Sequence, residues 1–422
     1  MSSPFPPMDP SCADDYDPNS LPVPAALARI DALVQPLAGT EKLALRSALD
    51  RVLAESVVSP INVPPHTNSA VDGYAVRGED IPAEGIRELR IIGNALAGKP
   101  FPGTVQPGEA VRLMTGAVVP EGADTALFQE RVQCEGDILR ITPDTKAGQN
   151  TRMAGEDLRV GDLVLAAGRR LNPADLGLLA SIGVVEVRVR RRLRVAFFSP
   201  GDELRSLGEP LGKGDIYDSN RYTLYGMLTH LGAEVIDMGV VRDDPEELQR
   251  MLGEASRIAD AVITSGGVSV GEVDYIKDTL NRLGKVDFWK IAMKPGRPLA
   301  FGTVGEALFF GLPGNPVAVM VTFYQFVRPA LLRMQGQQVP PMILLKARVS
   351  GRLKKRPGRM EFQRGVLEQD ENGEWVVHGT GDQGSGILST MSRANCFIIL
   401  ADESDGVAAG ALVDVQPFAG LL

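Results

Sequence analysis

The sequence predicts a multidomain α/β protein: a central doubly wound domain over residues 193–338, a helical/extended scaffold, an inserted β-rich domain and a C-terminal β barrel. Three observations lead there. The 422 residues exceed what one hydrophobic core organises. Apolar strand-like runs alternate with helical periodicity between Leu193 and about Gln335, as in a parallel sheet covered by helices. On either side the texture changes to short β-rich runs broken by Gly and Pro.

Residues 1–20, MSSPFPPMDPSCADDYDPNS, are Pro-rich and acidic and lack the basic start and apolar run of a secretory signal, so they read as a disordered cytosolic tail. From Leu21 to Val58 the spacing of Leu27, Ile30, Leu33, Val34 and Leu37, then of Leu43, Leu45, Leu49 and Leu53, predicts short amphipathic helices. With 166–192, residues 21–60 form the scaffold. Residues 61–165 carry RELRIIG, EAVRLM, TALFQE and DILRIT between Gly and Pro, which predicts the inserted β domain.

Within 193–338, LRVAFFS is a strand ending at Gly201, and Ser219 or Asn220 caps a helix with Leu224, Leu228 and Leu231 on one face, closed by Gly232. AEVIDMGVV is the next strand. Asp244 before Pro245, Glu246 and Glu247 starts a helix, because its oxygen accepts orphan N–H groups and Pro needs no donor there. AVITS then enters the loop GGVSVGEVD, a helix carries Ile276, Leu280 and Leu283, and LFFGLPGNP introduces a long buried helix from about Val317. Over 339–422, ILLKARV, FQRGVL, EWVVHGT, FIILAD and LVDVQP predict the barrel.

Composition narrows function. A net charge of −9 opposes general attraction to nucleic acid or an anionic membrane, so an anionic substrate needs a local basic pocket. The three cysteines, Cys12, Cys134 and Cys396, stand too far apart for a CxxC metal pair or a disulfide framework. No run approaches the roughly twenty apolar residues that cross a bilayer.

The loop around Ser265, Gly266, Gly267 and Ser269 follows a buried strand and precedes a helix, where open α/β sheets bind ligands. Glycines let backbone N–H groups approach an anion, and the hydroxyls add donors. A tight strand-to-helix turn explains the same residues. Asp274 after the loop, Asp202 and Glu203 after LRVAFFSPG, Asp243 after MGVV and Asp72 in NSAVDGYA are each explicable as caps or turn residues. Jointly they offer the oxygen ligands that a magnesium site for phosphoryl chemistry needs.

Lys290, Lys294 and Arg297 surround a Pro-Gly turn in WKIAMKPGRP, a pattern suited to a small tetrahedral oxyanion or, equally, to a solvated turn. Eight basic residues face one Glu between Lys346 and Arg364, yet Phe362 is the one aromatic there, so base stacking is unsupported and a solvated basic face is expected. Arg364 and Ser385 are the better anion candidates. Thr115 sits in a turn of RLMTGAVVPEGAD, and in GLPGNP Asn315 caps a helix begun by Pro316 while Pro313 tightens a backbone that can seat a base or sugar.

Taken in order, SAVDGYA, RLMTGAVVPEGAD, AGEDL, GDEL, IYDSNR, SGGVSVGEVDY, WKIAMKPGRP and GLPGNP resemble the motif set of the molybdopterin molybdenumtransferase family, to which the E domain of gephyrin is related. The resemblance spans most of the chain. It implies a cytoplasmic, magnesium-dependent enzyme that inserts molybdenum from molybdate into adenylylated molybdopterin and releases AMP. It further implies a homodimer with a site built from both subunits, an upstream pterin adenylyltransferase and recipient molybdoenzymes. By motif, Asp72, Glu203, Asp243 and Asp274 are the acidic set, the last three as metal ligands; Lys290, Lys294, Arg364 and Ser385 are the oxyanion set, with Thr115 and Asp157 in addition. Val71, Val273 and Arg297 depart from the family pattern, and Arg297 in place of Lys alters anion geometry most. An adenylyltransferase on the same fold and a noncatalytic pterin-binding scaffold are the alternatives.

Overall fold

A computed structural model describes residues 19–267, 279–280, 282–339 and 341–419, which divide into two compact units, one of Thr40–Val189 and one of the chain up to Gly39 with Arg190–Leu422.

The unit Thr40–Val189 consists of short paired strands around one core and a six-stranded sheet with a core on each face. Thr40–Ala44 pairs with Glu186–Arg190, and Val57–Val58 pairs with Leu163–Leu165, around a core of Ala48, Leu53, Leu165, Leu171, Leu179, Ile182, Val187 and Val189. The helix Pro173–Ser181 starts on a capping box in which Asn172 and Asp175 each bond the other's backbone N–H. A helix over Leu43–Leu53 does not form: Leu43 lies in a strand and Leu45–Ala48 is one 3₁₀ turn. Spacings of two and four residues fit either period, and the strand partner is supplied from far along the chain, beyond the reach of a local pattern. The inserted region is a six-stranded sheet in the order Thr125–Phe128, Gly73–Val76, Glu109–Leu113, Arg87–Ala95, Ile138–Ile141, Gln133–Glu135. Alternation along Gly73–Val76 sends Tyr74 and Val76 into one core and Ala75 into the other.

In the second unit the sheet runs Glu234–Val241, Arg194–Pro200, Ala261–Ser265, Ala307–Leu312, Pro298–Val304, Gly284–Lys290; the first four strands are parallel and the last two antiparallel. Both faces are covered, which is why the strands read as unbroken apolar runs. Val195, Phe197, Ile263 and Phe310 face a core shared with the helix Ser219–His230 and the 316–334 segment; Ala196, Phe198, Val262 and Phe309 face the helix Pro245–Ile258. The N-terminal helix Val23–Leu33 joins the first core through Val23, Ala26 and Ile30, so it packs with the α/β sheet. The helix Ser219–His230 is capped by Asp218, one residue before the expected cap, with its carboxylate accepting Arg221 N–H at 3.1 Å. The long helix from Pro316 contains a π segment, Phe323–Val327, just before Pro329, whose missing N–H and ring an unbroken α-helix would not accommodate.

The C-terminal strands close on themselves: Met360–Gln369, Trp375–Gly379, Leu345–Val349, Leu412–Pro417 and Cys396–Leu400 follow in order, and Cys396–Leu400 pairs back to Met360–Gln369. This is the expected barrel. Among the described residues no helix is long and apolar enough to cross a membrane.

Candidate functional site

In the α/β unit the candidate residues collect at the carboxyl ends of the parallel strands. Gly266 has φ 102°, a conformation costly for other residues, and its N–H donates to Leu312 O at 2.9 Å, which fixes where the loop leaves the sheet. Asn220, at the start of the helix Ser219–His230, donates to Gly314 O at 2.6 Å. Pro313 is buried and Pro316 opens its helix, so the backbone from 312 to 316 is held from two sides. The Oγ atoms of Ser199 and Ser265, at the ends of neighbouring strands, and Asn220 Oδ1 are buried without a hydrogen-bond partner among the described residues. Such unsatisfied buried atoms, gathered at one sheet edge, are open to a ligand or a water.

Carboxylates ring the same edge. Asp243 N–H donates to Asp202 Oδ1 at 3.4 Å, and the Asp243 carboxyl is raised above the ordinary range by partial burial first, then by the negative charges of Asp202 and Glu203. Such a concentration of like charge favours either a proton or a cation. Among the described residues no group of three or more His, Cys, Asp or Glu side chains is arranged to hold a metal by itself. Ser269 and Asp274 lie outside the described residues.

Lys290 ends the strand Gly284–Lys290, and Lys294 and Arg297 stand on the turn that follows, closed by Ile291 N–H donating to Arg297 O at 2.6 Å. Gly296 is required twice over: its φ is 98°, and a Cβ there would lie 2.6 Å from Thr322 Oγ1. Lys294 is 45% exposed and pairs with the buried Glu361 at 3.6 Å across the parallel bridge to the barrel.

Arg364 takes a different position from the one expected of an anion contact. It is 1% exposed, and its guanidinium donates to Gln383 O at 3.0 Å, Gly384 O at 2.9 Å, Asp382 O at 3.3 Å and Thr390 Oγ1 at 3.1 Å. Burial pulls its pKa down to about 10. These bonds fix the loop that carries Ser385, whose Oγ accepts from Asn315 Nδ2 at 3.0 Å and whose carbonyl accepts Val317 N–H at 3.1 Å. Asn315 therefore makes no side-chain cap bond; it reaches Ser385 instead. The KKR run also departs from expectation: Lys355 is 8% exposed and its ammonium donates to Arg356 O, Asp402 O and Ser404 O.

In the unit Thr40–Val189, Asp72 Oδ1 accepts both the backbone N–H of Thr115 at 2.6 Å and its hydroxyl at 2.8 Å. Those two bonds, the backbone one first, hold the Asp72 carboxyl below its usual range. Asp157 lines a cavity of about 450 Å³ with Val63, Pro64, Asn68, Arg152 and Glu156. The pair Asn68–Ser69 with Thr151–Arg152 joins this cavity to the Asp72 turn, since Ser69 is bonded through Gly116 N–H and Ala117 O to the turn holding Thr115.

Sequence reasoning missed Ser199, Asn220, Asn68 and Arg152. Asn220 is read from sequence as a candidate helix cap within a family motif, whereas its side chain works on the opposite loop, donating to Gly314 O.

A family model for the "MoeA N-terminal region (domain I and II)" matches residues 21–183, one for a "Probable molybdopterin binding domain" matches 196–333, and one for the "MoeA C-terminal region (domain IV)" matches 346–418. The chain is 46% identical over 387 residues to the molybdopterin molybdenumtransferase of Haemophilus influenzae, covering 91% of this chain and 95% of that protein. It is 38% identical over 370 residues to that of a Nostoc species, covering 86% and 85%. A crystal structure of the molybdopterin biosynthesis moeA protein from Pyrococcus horikoshii superposes with a TM-score of 0.82 at 31% identity, covering 94% of this chain and 100% of that one.

Proposed function

The chain belongs to the molybdopterin molybdenumtransferase family, enzymes of molybdenum cofactor biosynthesis, and from that premise we propose that it takes adenylylated molybdopterin and molybdate, inserts molybdenum into the dithiolene and releases AMP with the help of Mg²⁺. The observation that carries the chemistry is geometric: Asp202, Glu203 and Asp243 crowd together at the sheet edge, where Pro200 O lies against Gly266 of the Ser265–Gly267 loop, and partial burial together with these neighbours raises the Asp243 carboxyl.

Oxygen donors of this kind suit a hard divalent cation that takes one or two carboxylates and completes its shell from substrate phosphates. Glu203 and Asp243 fit that role, with Asp274 as the third ligand proposed from sequence. Mg²⁺ bound there would neutralise charge on the diphosphate. The backbone N–H of Gly267 and the Ser265 hydroxyl hold phosphate oxygens, and Ser269 is a second hydroxyl proposed from sequence. Pro313 and Pro316 shape the seat of the adenosine. Lys290, Lys294 and Arg297 attract molybdate, with Arg297 supplying a planar fork where two lysines supply point charges. Arg364 serves this set by fixing Ser385. In the other unit Asp72, kept ionised by Thr115, can accept a hydrogen bond from the pterin portion, and Asp157 offers a second carboxylate.

The reading extends to a cytosolic homodimer that receives its pterin from an adenylyltransferase and delivers cofactor to recipient enzymes. Light scattering at micromolar concentration checks the dimer. The activity is tested by AMP release from adenylylated molybdopterin with Mg²⁺, with and without molybdate. Molybdate-dependent release that falls at least a hundredfold in Asp243→Asn supports the assignment; molybdate-independent release, or an unaffected variant, overturns it.

A further inference from the structure

The cavity in the unit Thr40–Val189 has features that the acidic roles assigned above leave unexplained. Its volume, about 450 Å³, falls within the roughly 300–1,000 Å³ of small-molecule sites. Val63 and Pro64 give it an apolar wall, while Asn68, Arg152, Glu156 and Asp157 supply the polar lining.

The polar groups differ in how far the fold already uses them. Glu156 Oε2 accepts Met153 N–H at 3.0 Å and so closes its own turn. Asp157 is tied through its backbone, N–H to Val63 O at 2.9 Å, and its carboxylate takes no hydrogen bond among the described residues. Arg152 has no ion-pair partner among them either, although carboxylates line the same cavity. Asn68 Oδ1 is buried and accepts nothing among the described residues. The exposed Arg152 guanidinium and Asp157 carboxylate, and the buried Asn68 amide oxygen, thus border one open cavity where no described protein group competes with a ligand for them.

The ligand must match two acceptors and a donor. A carboxylate pairs best with two parallel N–H donors, as it does with a guanidinium fork. The 2-amino-3H-4-oxo edge of a pterin presents that fork, N2–H beside N3–H, followed by an acceptor oxygen for an arginine, and the flat ring needs an apolar wall. We propose that this cavity receives the ring of a pterin, with Asp157 accepting from its amino and imino donors and Arg152 donating to its 4-oxo group. The proposal deepens the transferase reading by assigning the ring end of that substrate.

The test uses the full chain and three free ring compounds: pterin, lumazine, in which a carbonyl replaces the 2-amino group, and guanosine, which carries the same edge on a purine. Binding is followed by intrinsic ligand fluorescence for the two pteridines and by calorimetry for guanosine. Pterin should bind at least tenfold more tightly than lumazine, and Asp157→Asn, which keeps the backbone bond to Val63, should weaken pterin at least tenfold without weakening lumazine, whose 2-oxo group the amide can meet as a donor. Arg152→Gln should weaken both pteridines, since both keep the 4-oxo group. Absent pterin binding, equal affinity for lumazine, or an indifferent Asp157→Asn overturns the proposal; guanosine binding as tightly as pterin overturns it in favour of a purine site. Failure of AMP release in wild type would overturn the transferase chemistry independently, because the titrations contain no adenylylated substrate.

Discussion

Replacing Arg364 with Met separates an arginine that touches substrate from one that builds the loop beside it. Met fills much of the aliphatic stem but strips donors from Asp382 O, Gln383 O, Gly384 O and Thr390 Oγ1. A buried acceptor left without its donor costs about 1–3 kcal/mol. Against this, removing a guanidinium whose pKa burial has pulled down to about 10 recovers desolvation. The carbonyls lie in a loop that water can partly enter, so the net loss should be about 2–4 kcal/mol. For a unit of this size that lowers Tm by roughly 4–16 °C. The assay is calorimetry of the full chain alongside KM and kcat for molybdate-dependent AMP release. Arg364→Met should lose both stability and apparent molybdate affinity, while Ser385→Ala should reproduce the kinetic loss with Tm within about 2 °C of wild type, as expected of a surface change worth about 0.5 kcal/mol. An Arg364→Met protein that melts like wild type and still loses activity would refute the loop-building role.

Three further outcomes follow. Because its folded pKa is raised, Asp243 contributes relative stability below the unfolded value of 3.8 and loses it as pH rises through the folded value; Asp243→Asn should therefore match wild type near pH 3.5 and exceed its Tm at pH 7, with added Mg²⁺ narrowing the gap. Asp72 is shifted the other way, so its contribution is present above 3.8 and lost as pH falls through its lower folded pKa; Thr115→Val keeps the backbone bond but removes the hydroxyl, and carboxyl NMR should show the Asp72 midpoint moving partway up. Lys355→Met exposes Arg356 O, Asp402 O and Ser404 O to the loss of one shared donor, and should cost about 2–3 kcal/mol in urea titration with KM unchanged.

The α/β domain was legible because a strand buried on both faces must be apolar throughout, and LRVAFFS and AVITS are; the cap at Asp244 and the helix-opening Pro316 marked where helices begin. The region of Leu43–Leu53 was not, because its strand partner lies at Glu186–Arg190. Candidate site residues divide the same way. Asp72, Glu203 and Asp243 could be picked out as acids at strand ends or turns, since that is a local property. Burial of a cation is a tertiary property: nothing local to KKR or FQRG says that Lys355 and Arg364 point inward and satisfy carbonyls, so a basic stretch read as surface proved to include two internal braces. Asn68 and Arg152 acquire meaning only when paired across the sheet.

The sheet edge itself shows a division of labour. Asn is a favoured capping residue worth about 1 kcal/mol to a helix, yet Asn315 gives its side chain to Ser385, and the barrel loop returns the missing acceptor through Ser385 O to Val317 N–H. Gly266 N–H is held by Leu312 O and Gly314 O by Asn220, so the sheet, the helix Ser219–His230 and the barrel all converge on residues 312–317. A backbone held from three sides has little freedom to yield. Beside it, Asp202, Glu203 and Asp243 repel one another at a cost that a fold shaped for stability alone would remove by changing one of them. Unrelieved repulsion mounted on a braced frame is what the proposed site would need for a cation and phosphates, and not the protein, to complete its bonding.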